Sequence, residues 1–192
     1  MTMTTTSVIL VGVGGQGILL ASEIIAQAAM SQGFDVKTNE VHGMAQRGGS
    51  VIAQIRYGTQ VHSPLIAEGG AKALCSLEQI EALRYTNYLE EGGLCVVSSQ
   101  QVIPVTVSMG AAKYPENTQE RLAQSFSNLK YIEAADVATE LGNIKAANVV
   151  LLGALSKGLD LPQKAWQSAI EKCVKPQFLK LNLAAFARGQ EL

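Results

Sequence analysis

Cysteine is scarce in this chain and badly spaced for chemistry. Cys75, Cys95 and Cys173 are odd in number, lie far apart and include no C-x-x-C pair. A disulfide framework is therefore not expected, and the four thiolates that usually hold an iron–sulfur cluster cannot come from this chain. The cysteines read most simply as small buried hydrophobes in a reducing compartment. Histidine is as thin: His42 and His62 are far apart and have no obvious carboxylate or thiol companion, which argues against a metal site. Charged residues make up 16% of the chain, against about 25% in a typical soluble domain. The net charge is −1 and the basic residues are scattered, so the electrostatic footprint of a nucleic-acid binder is missing. The opening MTMTTTSVIL has no Lys or Arg ahead of its apolar run, and that run stops at Gly12. No signal peptide and no membrane span are expected, and the default is a cytoplasmic protein. No G-x-S-x-G elbow occurs, and Glu90 with Glu91 reads as a solvated helix end rather than a catalytic pair.

What is present is aliphatic and alternating. A chain of 192 residues can bury roughly 70% of its unfolded surface without staples. Short β-rich runs alternate with helical stretches along it. Strands are expected at Ser7 to Val11, Phe34 to Asn39, Val51 to Tyr57, Ala71 to Leu77, Leu94 to Ser98, Val102 to Val107 and Leu129 to Ile132. The Pro104 inside the Val102 run marks it as an edge or irregular strand. Helical patterns cover Ile18 to Ser31, Glu78 to Leu89, Glu116 to Phe126, Ala146 to Lys157, Gln163 to Val174 and Pro176 to Ala187. With no repeat, linker or low-complexity tract, residues 1–192 are expected to form a single α/β domain, a Rossmann-like open sheet with helices on both faces. The low charge is consistent with a surface partly covered by a partner.

Two glycine-containing stretches concentrate the chemistry. In GVGGQGILLA, Gly12, Gly14 and Gly17 form G-x-G-x-x-G between a strand and a helix. The backbone N–H groups around Gly14, Gly15 and Gln16 would point out of a helix N-terminus, where the macrodipole favours an anion. Nucleotide or phosphate contact, a tight structural turn and a subunit contact all remain open for it. Glu40, at the expected end of the second strand, would bind a ribose if this were a stand-alone Rossmann-type oxidoreductase using a nicotinamide or flavin. The second stretch, EVHGMAQRGGSV, brings together His42, Gln46, Arg47 and Ser50. Arg47 offers planar donors for phosphate or carboxylate, and Gly48 and Gly49 allow a close backbone approach. Both loops are expected to meet at one sheet edge.

The pair GVGGQG and VHGMAQRGGSVIAQIRYG, with NVVLLGALS and the ending LNLAAFARG, resembles the gamma subunit or gamma domain of 2-oxoacid (pyruvate/ketoisovalerate):ferredoxin oxidoreductases, and among them the small-subunit type of the indolepyruvate enzymes. The Q-R-G-G-S element is the most specific part of the match, which runs from about Ser7 to the end. The resemblance implies a complex that decarboxylates a 2-oxoacid to an acyl-coenzyme A while reducing ferredoxin, with thiamine diphosphate, magnesium and 4Fe-4S clusters. This chain has neither the G-D-G and asparagines that hold the thiamine metal nor a cluster's cysteines, so it is expected to bind no cofactor alone and to be inactive alone. A large thiamine- and cluster-bearing partner is implied in a hetero-oligomer, with ferredoxin reached through the complex. The same resemblance implies that Gly12, Gly14, Gly15, Gln16 and Gly17, with His42, Gln46, Arg47, Gly48, Gly49 and Ser50, face coenzyme A or the partner.

Overall fold

The computed structural model describes residues 5–43 and 48–192. Six strands form one mixed sheet in the order β2-β3-β1-β4-β5-β6. The strands are β1 (Thr6–Val13), β2 (Asp35–His42), β3 (Ser50–Gly58), β4 (Ala71–Ser76), β5 (Leu89–Ser98) and β6 (Leu129–Ile132). Strands β1, β4, β5 and β6 run parallel to one another, whereas β3 is antiparallel to both β1 and β2. The central position of β1 explains its composition: Val8 to Val11 have no exposed surface, because a strand covered on both faces reads as a continuous apolar run.

Alternation along β1 sends Val8 and Leu10 to one face and Ile9 and Val11 to the other. On the first face lie α1 (Ile18–Ser31), α5 (Ala134–Glu140), α6 (Ala147–Ser156), α7 (Gln163–Cys173) and α8 (Pro176–Glu191), which bury Ile24, Leu151, Trp166 and Phe186. The second face is covered more lightly, by α2 (Gln79–Arg84) and by α4 (Thr118–Ser125), where Leu122 is buried, with Phe126 just beyond its end. Helix α6 is apolar on nearly every side and is buried from Asn148 to Ser156, as expected for a helix inside the fold. It crosses α8 so closely that a Cβ at Gly153 would lie 2.2 Å from the Phe186 carbonyl oxygen, and one at Gly189 would lie 1.9 Å from that of Val150.

The layered α/β arrangement with helices on both faces matches the expectation from the sequence. Four local expectations change. The Val102 to Val107 run is not a strand: the chain leaves the sheet after Ser98, and Val105–Ser108 forms a short helix, α3. The helical pattern from Glu78 ends at Arg84, and a single 3-10 turn leads directly into β5 at Leu89. Glu90 and Glu91 are thus exposed strand residues, not a helix end. Helix α5 had no strong sequence signal, being only 7 residues long. Strand β3 also lies between β1 and β2, so Glu40, paired with Ala53, is one full strand away from β1.

Candidate functional site

Strand β1 ends at Val13 and α1 begins at Ile18, leaving a turn whose shape depends on two glycines. Gly15 has φ +102° and Gly17 has φ +85°, a left-handed region that costs other L residues about 1–2 kcal/mol. Helix α1 then starts with no side-chain cap and no acidic residue in its first turn. Its first N–H groups lack intrahelical partners, and the helix dipole adds to the positive character there. A Cβ at Gly15 would meet nothing within 4 Å, so this backbone is open to an approaching group.

Gln16 turns its side chain into the protein. Its Oε1 accepts from the Val13 N–H at 2.7 Å, while its Nε2 donates to the Leu77 carbonyl at 2.8 Å and to Gln100 Oε1 at 3.0 Å. One side chain thereby ties the loop to the carboxyl ends of β4 and β5. Asn148, at the start of α6, donates from Nδ2 to the Gly17 carbonyl at 3.1 Å. The loop is held from both ends, which keeps its exposed backbone in one arrangement.

Two cavities flank the loop. One, of about 600 Å³, is lined mainly by apolar groups, including Val13, Ile18, Leu19 and Val51, with His42 at its border. The other, of about 430 Å³, is lined by Gln16, Ser98, Gln100, Lys145 and Asn148 together with Leu20 and Leu77. This second cavity lies beyond the carboxyl ends of β1, β4 and β5. The chain leaves β1 toward β2 and β3 and returns on the other side at β4, so the cavity occupies the switch point where open α/β sheets take ligands.

The second glycine-containing loop meets the first. Gly14 N–H donates to the Gly49 carbonyl at 2.9 Å, and Gly43 N–H donates to the Ser50 carbonyl at 3.2 Å. Ser50 is also the register partner of Val13. Gly48 shares a small space of about 90 Å³ with Ser50, Glu78, Glu81 and Arg84. Gln46 and Arg47 lie outside the described residues.

Several residues that no motif marks complete this region. The Ser50 hydroxyl donates to the buried Glu81 carboxylate, which also faces Arg84 Nε at 3.3 Å. Burial pushes the Glu81 carboxyl above its ordinary range; the Ser50 hydrogen bond and Arg84 pull it down, and the charge of Glu78 adds to the rise. Glu78 caps α2 by accepting from the N–H groups of Ile80 and Glu81, and it also accepts from the Tyr114 hydroxyl at 2.6 Å. Burial, then the bond to Glu78, raises the Tyr114 phenol well above its usual range.

Cys75 and Cys95 are buried; burial pushes the Cys75 thiol up to about 12 and raises Cys95 as well. Among the described residues, no three His, Cys, Asp or Glu side chains come together as a metal site. No described helix is long and apolar enough to cross a membrane.

The model of the pyruvate ferredoxin/flavodoxin oxidoreductase family matches residues 7–192. The chain is 41% identical over 188 residues to an indolepyruvate oxidoreductase subunit of Thermococcus kodakarensis, covering 95% of this chain and 93% of that one. Its fold superposes on the gamma subunit of a keto/oxoacid ferredoxin oxidoreductase from Geobacter sulfurreducens with a TM-score of 0.70 and 25% identity, covering 97% of this chain and 96% of that one. The pyruvate oxidoreductase subunit of Thermotoga maritima gives a TM-score of 0.72 at 22% identity, with 100% and 97% coverage, a likeness of fold. Matched from Ser7 to its last residue, the chain belongs to the pyruvate ferredoxin/flavodoxin oxidoreductase family.

Proposed function

We propose that this chain is the small subunit of a 2-oxoacid:ferredoxin oxidoreductase of the indolepyruvate type, working with a large subunit that carries thiamine diphosphate, magnesium and the iron–sulfur clusters. The observation that carries the reading is the 41% identity to an indolepyruvate oxidoreductase subunit over nearly the full length of both chains. The residues here agree with that division of labour. The chain has three cysteines, Cys75, Cys95 and Cys173, fewer than the four thiolates that usually hold a cluster.

Within the complex, thiamine supplies the carbanion chemistry of decarboxylation and the clusters carry electrons to ferredoxin. The contribution of this chain is to receive the acyl acceptor. The open backbone at Gly15 and the uncapped start of α1 form a positive, unobstructed surface that suits a phosphate of coenzyme A. Gln16 and Asn148 hold that surface still, and Lys145 adds a cation to the lining of the second cavity. Gln46 and Arg47 stay candidates to face coenzyme A or the partner, as the resemblance in sequence implies.

Purification of the tagged chain from its native anaerobic lysate, followed by mass spectrometry and viologen reduction with indolepyruvate and coenzyme A, tests the reading. A large thiamine- and cluster-bearing partner, with activity that disappears when this chain is removed, is the expected result. Recovery of the chain alone, or micromolar NAD binding by it, would overturn the reading. A nicotinamide site is disfavoured by β3, which keeps Glu40 a strand away from the glycine loop.

A further inference from the structure

We propose that Glu81 is a positioning residue that sets the two glycine-containing loops against each other through Ser50; its effect on coenzyme A rests on the reading of the glycine loop given above. A carboxylate buried this far is costly unless it is paired, and Glu81 is 5% exposed. It is not needed to start α2, because Glu78 already caps that helix. One carboxylate oxygen faces Arg84 Nε at 3.3 Å, and the other reaches the first residue of β3, where it accepts a hydrogen bond from the Ser50 hydroxyl.

Ser50 is where the two loops are joined. Its carbonyl closes the base of the second loop by accepting from Gly43 N–H at 3.2 Å, and the preceding carbonyl, of Gly49, accepts from Gly14 N–H at 2.9 Å. In the sheet it stands opposite Val13, the last residue before the glycine turn. Gly48 and Gly49 provide little rotational restraint next to it. Glu81 therefore anchors the serine that follows these two glycines, and the Gly49 to Gly14 contact carries that restraint into the turn.

The test uses the complex purified through this chain, with Glu81→Ala, Ser50→Ala, the double variant and Glu81→Gln. Each is assayed for KM toward coenzyme A, KM toward the 2-oxoacid, and kcat at saturation. Hydrogen exchange is followed in peptides covering residues 12–20 and 48–52. Either alanine variant should raise KM for coenzyme A about tenfold, the scale of one hydrogen bond to a charged group, with kcat and the 2-oxoacid KM unchanged. The double variant should be no worse than one single variant, since both break the same link. Glu81→Gln keeps an acceptor for Ser50 and should recover most of the affinity.

Faster exchange at residues 12–20 in both alanine variants, restored in Glu81→Gln, is the signature expected of the link itself. Unchanged exchange there, or single effects that multiply in the double variant, would overturn the proposal. Faster exchange with an unchanged coenzyme A KM, both in these variants and in Gly15→Ala, would preserve the positioning role and refute only the coenzyme A reading. Should Glu81→Ala fail to assemble, Ser50→Ala, which removes a single hydroxyl, decides the same question.

Discussion

The glycines at the crossing of α6 and α8 and those at the end of β1 serve different ends. At the crossing, Gly153 and Gly189 let two backbones touch, and any side chain would collide with a carbonyl oxygen. In the turn, Gly15 has open space around it, and its requirement is conformational, a φ of +102°. The first pair supports the fold, whereas Gly15 leaves its stretch of backbone accessible. One residue type can thus be needed because of what surrounds it or because of how the chain must bend.

Substitutions can break this comparison. The largest effect is expected at the crossing, where Gly189→Ala or Gly153→Ala should destabilise by about 3 kcal/mol, since backbone has to move. Urea denaturation measures this, and a loss under about 1 kcal/mol would show that the helices separate easily. Gln16→Ala comes next. It removes the links to Val13, Leu77 and Gln100 and should cost about 2 kcal/mol, with faster exchange of the Val13 amide as the second readout.

Gly15→Ala should cost about 1–2 kcal/mol in stability through strain alone, yet it should weaken coenzyme A measurably, because its new methyl would stand on the open surface. Gly33→Ala provides the control that sharpens the comparison. Gly33 has φ +80° and open space, but it lies beyond the far end of α1. A stability loss of about 1–2 kcal/mol with no change in coenzyme A KM is expected. Equal effects of Gly15→Ala and Gly33→Ala on KM would mean that the turn matters only for folding.

Much of the architecture was legible locally. Helix α1 spans Ile18–Ser31, as its periodicity and the flanking Gly17 and Gly33 indicate. The apolar run of β1 signals a strand covered on both faces. The Val102 to Val107 run misled because β propensity describes fit to a pleated, half-buried surface. After Ser98 the chain has left the sheet, β6 already occupies the edge beside β5, and Ile103 and Val105 are exposed. Within the candidate site, the glycine spacing marked the turn. The inward role of the Gln16 side chain was hidden, since its partners Leu77 and Gln100 are remote in sequence. Glu81 and Lys145 carry no motif, Asn148 opens NVVLLGALS with nothing there to mark its bond to Gly17, and all three come near the loops only in the folded chain.

The sequence by itself determined the alternation of strand and helix, the position of the glycine turn and the shortage of thiolates for a cluster, because periodicity, backbone freedom and residue chemistry act over short windows. Only the tertiary structure decided that β3 enters the sheet antiparallel between β1 and β2, that Gly14 meets Gly49, and that Glu81 reaches Ser50. Strand order and buried hydrogen bonds follow from how distant segments satisfy one another's apolar surface and polar groups. That competition involves the whole chain at once.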